Sequence, residues 1–379
     1  MREYLLCLLV AFAVTYVTVP VVRVVAVRWG AMAEVRDRDV HDTPTPRLGG
    51  LAMLLGILAA LLVASKLRMM SSLFDDGARE PIGLLSAVAV IVALGVIDDR
   101  WGLDAPVKLA GQVLAGGLLA LQGVAIIWLP IGGTLVLDPL TSVLLTVIVV
   151  VVSINAINFI DGLDGLAAGM AAIAGIAFFV YAYLMTVDLG FERSTLAALC
   201  SVLVAGVCLA FLPYNFSPAR LFMGDTGSML LGLLLAASSI TLSGQIDPGA
   251  LEGTTFLPAL IPILLPFAVL SVPLLDIVLA IVRRTRKRRS PFAPDKEHLH
   301  HRLVEVGHST PRAVLLMYAW SALIAMTALG LAFVPFTWAL GFLGVGILAL
   351  ASWVLLPRWQ RAAAARRRKR QVGASAKVG

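Results

Sequence analysis

Long apolar stretches alternate with short polar ones along the whole chain. About eleven of these stretches approach the ~20 apolar residues that a helix needs to cross ~30 Å of hydrocarbon. They lie at roughly 4–22, 48–65, 82–97, 106–127, 139–160, 166–186, 195–213, 228–243, 255–282, 313–333 and 335–357. Backbone polar groups in lipid must be paired within their own segment, so each stretch is predicted to be a helix. The pattern predicts an all-α polytopic integral membrane protein with about eleven transmembrane helices.

Composition narrows the class of protein further. Of the 379 residues, 59% are hydrophobic and 14% are charged, whereas soluble domains carry roughly 25% charged residues. A soluble globular enzyme and a disordered chain are therefore excluded. Because Cys7, Cys200 and Cys208 all lie in apolar stretches, neither a disulfide framework nor a cysteine metal centre is expected.

The basic residues predict the orientation in the membrane. With eleven crossings, the N-terminus and the even-numbered loops carry only five of the 30 Lys and Arg residues: Arg2, Lys66, Arg68, Arg79 and Arg193. The positive-inside rule places the remaining 25 in the cytoplasm. The N-terminus is therefore predicted outside and the C-terminus inside the cytoplasmic membrane. Residues 1–357 are expected to form a single transmembrane domain, followed by a basic, disordered cytoplasmic tail at 358–379.

Five polar stretches interrupt the apolar pattern. They are HDTPTPRLGG (41–50), IDDRWGLDAPVK (97–108), NAINFIDGLDGL (155–166), PYNFSPARLFMGDTGS (213–228) and DKEHLHHRL (295–303). All five fall on the predicted cytoplasmic side. We therefore expect them to form the walls of one site. No soluble module accompanies the basic residues, so nucleic acid is not an expected partner.

The carboxylates of this site fall at predicted helix ends. Asp98 and Asp99 follow a short apolar stretch and are expected at headgroup depth, where a carboxylate is costly unless it is paired or has a function. The alternative is a solvated pair that caps a helix. Asp225 lies between two glycines at the start of a helix, where it could cap that helix or hold a metal ion.

A second group of polar residues recurs at intervals of three, which places them near one face of a helical turn. Its members are Asn155, Asn158, Asp161 and Asp164. Gly162 and Gly165 would let a ligand approach the backbone. Carboxylate and amide oxygens suit Mg²⁺, which usually binds one or two carboxylates together with substrate phosphates. The glycines could also simply form a turn.

Two further features carry charge. Among His298, His300 and His301, the spacing does not match the common helical zinc pair. Together with Arg302 they could bind a phosphate, or lie in a solvated loop without a role. Asp276, inside the ninth apolar stretch, could form an ion pair with Arg283 or position the histidine loop.

The five stretches, in this order, resemble the polyprenyl-phosphate N-acetylhexosamine-1-phosphate transferases. The similarity covers about residues 41 to 303, and it favours the WecA/TagO-like branch, because TPRLGG stands here in place of a PTMGG string and the histidine motif is HLHHRL. The resemblance implies a catalytic membrane domain that transfers N-acetylglucosamine-1-phosphate (GlcNAc-1-phosphate) from UDP-GlcNAc to a polyprenyl phosphate. The product would begin a cell-envelope polysaccharide, and UMP would leave.

The resemblance also implies roles for individual residues. Asp225 would bind Mg²⁺, with Mn²⁺ as a substitute, assisted by Asn158. Asp98 and Asp99 would handle the lipid phosphate, with Asp98 deprotonating or orienting it, and Lys108 would neutralise its charge. Asp161 is a candidate catalytic carboxylate. The uridine and diphosphate pocket would comprise Asn155, Asn158, Gly162, Asp164, Asn215 and Phe222, while His298, His300, His301 and Arg302 would close over the diphosphate or sugar.

The alternatives are an MraY-like phospho-MurNAc-pentapeptide transferase and, in a different class, a secondary transporter with Asp residues as proton relays. A transporter would place its charges near the middle of the bilayer. The resemblance further implies a homodimer in the membrane.

Overall fold

The computed structural model describes residues 1–33, 44–75, 78–129, 135–189, 195–245 and 309–375, together with ten helical positions between 261 and 286. Within these residues the protein is almost entirely helical, as predicted. Eight of the described helices are long and apolar enough to cross a membrane. The chain is therefore a multi-span membrane protein.

The helices follow the apolar stretches in chain order. Their bounds are α1 Arg2–Trp29, α2 Gly49–Ala64, α3 Arg79–Trp101, α4 Ala105–Leu121, α5 Pro139–Ile160, α6 Leu166–Leu189, α7 Thr195–Asn215, α8 Gly224–Gln245, α9 Thr310–Phe333 and α10 Phe336–Ser375. A short 3-10 helix covers Ser71–Phe74. A small antiparallel hairpin joins β1 (Trp128–Leu129) to β2 (Leu135–Val136), with Trp128 opposite Val136.

Two of the predicted spans form shorter helices than expected. Helices α2 and α4 have 16 and 17 residues. At 1.5 Å per residue they are roughly 24–26 Å long, which is less than the ~30 Å of hydrocarbon. The predicted span 106–127 is shorter because its chain leaves the helix at Gln122 and Gly123. The predicted span 255–282 falls largely outside the described residues.

The C-terminal segment differs from the expected disordered tail. Helix α10 continues through the basic stretch and ends at Ser375. The local sequence explains this difference, because the run QRAAAARRRKRQ consists of residues with high intrinsic helix propensity.

Helix α8 forms the centre of the bundle. It packs against α2, α3, α5, α6 and α7, and every residue from Thr226 to Ser243 is buried. Several of its polar side chains form hydrogen bonds with neighbouring groups; for example, the Ser201 hydroxyl on α7 donates to the Ser238 oxygen. The other helices are thus organised around a helix that meets no lipid over most of its length.

Glycines allow this close packing around α8. A Cβ atom at Gly95 of α3 would overlap the backbone of Thr226, and one at Gly50 of α2 would overlap the backbone of Gly227. A Cβ at Gly232 of α8 would likewise meet the backbone of Ile154 on α5. Small residues at such crossings let helix backbones approach closely within a membrane. They place the polar ends of α2, α3 and α5 around the start of α8.

We predict that Gly95→Ala lowers the free energy of unfolding by about 1–3 kcal/mol, because the added methyl group has to displace the α8 backbone. Gly117→Ala is the matched control, since nothing lies within 4 Å of a Cβ at that position and alanine favours a helix. Thermal unfolding of the two purified variants in detergent measures the difference. Equal stability of the two variants would contradict the packing described for α3 and α8.

Candidate active site

The site begins with the buried N-terminus of α8, whose first backbone N–H groups have no partner within the helix. Asp99, at the end of α3 and only 4% exposed, supplies the partners. Its Oδ1 accepts from the Asp225 amide (2.8 Å), and its Oδ2 accepts from the Thr226 amide (3.1 Å) and hydroxyl (2.7 Å). Gly224 has a φ of 71°, and a side chain there would strike the Asp99 carboxylate. Asp99 thus fixes where Asp225 lies.

A lysine joins two carboxylates beside this cap. Lys108 Nζ lies 2.7 Å from Asp98 Oδ2 and 2.7 Å from Asp225 Oδ2. The backbone amide of Leu103 donates to Asp98 Oδ1 at 2.7 Å. The three charged groups come from the end of α3, the start of α4 and the start of α8. One cation therefore neutralises part of the charge of two anions that are remote in sequence.

Asn158, near the end of α5, completes this network. Its Nδ2 donates to Asp225 Oδ1 at 3.1 Å and to Ser228 Oγ at 2.9 Å. Both oxygens of Asp225 are consequently held, one by an amide and one by an ammonium group. The structure thus brings together Asp98, Lys108, Asn158 and Asp225, which the sequence analysis had placed in one site.

Asp161 follows α5 directly and lies at the edge of this group. Burial raises the pKa of its carboxyl well above the usual range, and the negative charges of Asp225 and Asp99 raise it further. The positive charge of Arg47 opposes this effect. The site therefore has more negative than positive charge near Asp161, and it favours a proton or a cation there.

A second cluster connects the loop after α5 to the loop after α7. The buried Asn215 side chain accepts from the Gly165 amide (3.1 Å) and donates to the Leu221 carbonyl (3.1 Å). Asp164 Oδ2 accepts from the Ala219 amide at 3.0 Å, and the Tyr318 hydroxyl donates to the Gly165 carbonyl. Gly165 has a φ of 77°, a conformation that favours glycine. These contacts hold Asp164 and Asn215 in a rigid wall.

The polar stretch before α2 forms another wall. The Phe222 amide donates to the Pro46 carbonyl, while the Phe222 and Met223 carbonyls accept from Gly49 and Gly50. The extended segment thus runs alongside the chain that leads into α8. Arg47 is placed at the site by this pairing.

Other predicted residues lie apart from the ion-pair network. Asn155 Nδ2 donates to Gln112 Oε1 on α4 (2.7 Å) and to the Val151 carbonyl (2.8 Å). Gly162 is exposed, with nothing near the position of a Cβ. Their predicted roles in substrate binding stay predictions. The predictions for His298, His300, His301, Arg302 and Asp276 concern positions outside the described residues.

Sequence reasoning missed three residues of the site, Arg47, Thr226 and Ser228, and it also missed Gln112, which holds Asn155 beside the site. Arg47, Thr226 and Ser228 lie inside the five polar stretches. Their charged or hydroxyl side chains could therefore have indicated that they belong to the site. Gln112 lies one helical turn after Lys108, inside an apolar stretch. A single amide side chain in such a stretch could have indicated a polar partner nearby.

The side chains of the site can be compared with the ligands that a magnesium ion prefers. Among the described residues, no three His, Cys, Asp or Glu side chains gather as a ready-made metal site. Mg²⁺, however, usually takes only one or two carboxylates, with water and substrate phosphates completing its shell. Asp225 and Asp161 supply two such carboxylates, and the excess negative charge around Asp161 favours a cation. The residues present therefore fit Mg²⁺ bound together with a phosphate ligand.

Comparison with known proteins gives consistent matches. The family model described as Glycosyl transferase family 4 matches residues 81–243, which include most of the network around Asp225. Over 366 residues, the chain is 47% identical to decaprenyl-phosphate N-acetylglucosaminephosphotransferase of Mycolicibacterium smegmatis, covering 95% of this chain and 90% of the relative.

Two further relatives are less similar to the chain. A probable undecaprenyl-phosphate N-acetylglucosaminyl 1-phosphate transferase of Bacillus subtilis is 33% identical, with 86% of each chain covered. Phospho-N-acetylmuramoyl-pentapeptide-transferase of Desulforudis audaxviator is also 33% identical, over 85% of this chain and 96% of the relative. The 47% match thus favours the N-acetylglucosamine branch over the pentapeptide branch.

We predict that Asp99→Asn lowers the free energy of unfolding by about 1–3 kcal/mol, because an amide leaves buried donors of α8 without an acceptor. Asp138→Asn serves as the control, since the exposed Asp138 caps α5 by accepting from Leu140 and Thr141 and Asn caps helices equally well. Thermal unfolding measures both. If the two substitutions had the same effect, Asp99 would not be the cap on which α8 depends.

We predict that Asp161→Asn raises the unfolding midpoint at neutral and higher pH. The raised pKa means that the folded state holds this proton more tightly than the unfolded state, so the wild type loses stability as pH rises from the ordinary carboxyl pKa through the folded value. The gain of the variant should therefore shrink as the pH is lowered. Unfolding midpoints measured across a pH series test this, and a gain that grows toward acid pH would reverse the assignment.

Proposed function

Since the chain belongs to the polyprenyl-phosphate N-acetylhexosamine-1-phosphate transferases, as its motifs predicted, we propose that it transfers GlcNAc-1-phosphate from UDP-GlcNAc to a membrane polyprenyl phosphate. The observation that carries this proposal is the Lys108 ammonium held between Asp98 and Asp225. It lies at the ends of membrane helices, where the phosphate of a lipid can reach it. The products are polyprenyl-diphospho-GlcNAc and UMP.

The reaction is a displacement at the phosphorus that carries the sugar. An oxygen of the polyprenyl phosphate attacks this atom, and its bond to the bridging oxygen breaks, so UMP leaves with that oxygen. The acceptor is already an oxyanion, which removes the need for a protein nucleophile. Such transfers depend mainly on positioning and charge neutralisation, and we favour direct attack over a covalent Asp intermediate for this reason.

Lys108 and Asp98 are proposed to receive the acceptor. When the lysine turns from Asp98 toward an incoming phosphate, Asp98 Oδ2 loses its ammonium partner. That oxygen can then accept a proton from the acceptor phosphate or orient it. The other oxygen stays fixed by the Leu103 amide. Asp99, whose oxygens are both engaged by α8, is proposed to act as a positioning residue.

The donor is proposed to bind on the side of Asp225, Asn158 and Asp161. Mg²⁺, or Mn²⁺ as a substitute, would be held by Asp225 with Asp161 or Asn158, and when bound it offsets the diphosphate charge. Asn155, Gly162, Asp164, Asn215 and Phe222 are proposed for the nucleotide. Hydrogen bonds to the backbone fix the orientation of Asp164 and Asn215.

The orientation in the membrane is part of the proposal. The charged cluster, Arg23 and Arg28 of α1, Arg47 and Arg220 all lie at one end of the bundle, whereas Arg2, Lys66, Arg68 and Arg79 lie at the other. The positive-inside rule supports a cytoplasmic location for the charged end. The enzyme would thus be a protein of the cytoplasmic membrane with eleven spans and a cytoplasmic active site. Its homodimeric state stays a prediction of the resemblance.

The transporter alternative has less support. A secondary transporter is expected to carry its charged groups near the middle of the bilayer. Here Asp98, Lys108, Asn158 and Asp225 all occupy helix ends on one side. The relatives reported above are named as transferases.

The purified protein should release UMP from UDP-GlcNAc when polyprenyl phosphate and Mg²⁺ are both present. We predict that Asp225→Asn abolishes this release and weakens Mn²⁺ binding measured by electron paramagnetic resonance.

Asp98→Asn should abolish UMP release but keep UDP-GlcNAc binding, because Asp98 is proposed to serve the acceptor. Asp138→Asn, exposed at the other end of α5, should leave activity unchanged.

Each outcome decides one assignment. Full activity of Asp225→Asn would refute its metal role, and loss of UDP-GlcNAc binding in Asp98→Asn would move that residue to the donor. UMP release from the MurNAc-pentapeptide nucleotide instead of UDP-GlcNAc would favour the pentapeptide branch. Absence of UMP release with both donors would contradict the transferase proposal.

A further inference from the structure

A pocket of about 420 Å³ lies at the same end of the bundle as the active site, but on different residues. One wall is a single face of α1, formed by Pro20, Arg23, Val24, Val27 and Arg28, which are spaced at three, four, seven and eight residues from the first. Tyr214 at the end of α7 and Arg220 in the following loop form the opposite wall. The volume falls within the ~300–1,000 Å³ that is common for small-molecule sites.

Within the part of the chain that the structure describes, no acidic side chain pairs with the charges in this pocket. Arg23, Arg28 and Arg220 are exposed, and among the described residues the only ion pairs are those of Lys108 with Asp98 and Asp225. Three guanidinium groups from two remote parts of the chain thus share one concavity, to which no described residue contributes a carboxylate. Guanidinium groups bind phosphate oxygens in a bidentate geometry, so an anion with several oxygens is the expected complement.

The remaining lining is apolar and leads toward the membrane. Val24 and Val27 belong to the pocket, and α1 continues toward its N-terminus with the exposed residues Tyr16, Val17 and Val21. A ligand that fits both parts has an anionic head and hydrocarbon chains. A free inorganic anion would leave the apolar wall unused.

The pocket adjoins the active site without sharing its residues. Arg220 lies two positions before Phe222, whose amide pairs with Pro46, and the Ala31 carbonyl after α1 accepts from the Arg47 amide. None of the seven lining residues takes part in the network of Asp98, Lys108 and Asp225. A ligand here would brace α1 against the loop that leads into α8.

We propose that this pocket binds the phosphate of an anionic bilayer phospholipid, with Arg23, Arg28 and Arg220 around the headgroup and the acyl chains along the apolar face of α1. A phosphodiester needs charge neutralisation but neither a base nor a metal ion, and arginines alone provide that. The polyprenyl acceptor, by contrast, has to reach the cluster around Lys108. The proposal is independent of which sugar the enzyme transfers.

The test compares lipid binding by the full-length protein in a neutral detergent. Native mass spectrometry measures the affinity for phosphatidylglycerol in the wild type and in the pocket variant Arg23→Gln/Arg28→Gln/Arg220→Gln. We expect the pocket variant to bind about a hundredfold more weakly, since each basic residue near an anionic lipid contributes about a factor of five. The control Arg68→Gln/Arg79→Gln/Arg312→Gln removes three exposed arginines elsewhere and should bind as the wild type does.

Other outcomes would overturn the proposal. One is that the pocket variant and the control variant bind phosphatidylglycerol equally well. Another is that inorganic phosphate protects the wild type against thermal unfolding as strongly as phosphatidylglycerol does. A third is that the pocket variant loses the binding of polyprenyl phosphate. If the pocket variant unfolds at a lower temperature than the wild type in the presence of the neutral lipid phosphatidylcholine, the variant Arg23→Lys/Arg28→Lys/Arg220→Lys is tested in its place. This lysine variant keeps the charges and should retain most of the affinity, and a loss as large as that expected for glutamine would refute the role of charge.

Discussion

The structure depends on how the first backbone amides of α8, at its buried start, find hydrogen-bond acceptors. Because α8 is enclosed by five other helices, its first backbone amides need acceptors within the protein, since each unpaired buried donor is costly. Asp99 meets this requirement from α3, with two backbone amides and one hydroxyl as donors. The carboxylate also faces the positive end of the helix dipole. The capping contact therefore fixes the relative height of α3 and α8, and with it the positions of Asp98 and Asp225.

Around that contact, the charged groups of the proposed site only partly balance one another. Lys108 holds Asp98 and Asp225 together, whereas Asp161 experiences an excess of negative charge that raises its pKa. Such an arrangement is less stable than a neutral one would be, as is common where a site is built for function. The unbalanced charge is the feature that supports the proposal of a cation bound here together with a diphosphate.

Much of the fold was predictable because lipid restricts the chain to helices. Apolar length alone predicted α1, α3, α5, α6, α7, α8, α9 and α10, although it overestimated α2 and α4, which are shorter than the bilayer. The tail after residue 357 was expected to be disordered, yet its local propensity continues α10. The distinction between Asp98 and Asp99 could not be predicted, since two adjacent acidic residues look alike in a sequence and differ only in which neighbours they face.

The sequence by itself determined the membrane class, the family and the polar stretches, four of which contribute described residues to the site, because composition and motif order are properties of the chain alone. Only the tertiary structure decided which side chains act as pairs. It placed Lys108 between two carboxylates, brought Arg47 toward Asp161, and assembled the three arginines beside α1. These contacts join residues separated by up to about two hundred positions, and their geometry depends on how closely the helices pack at glycine crossings, which no local pattern records.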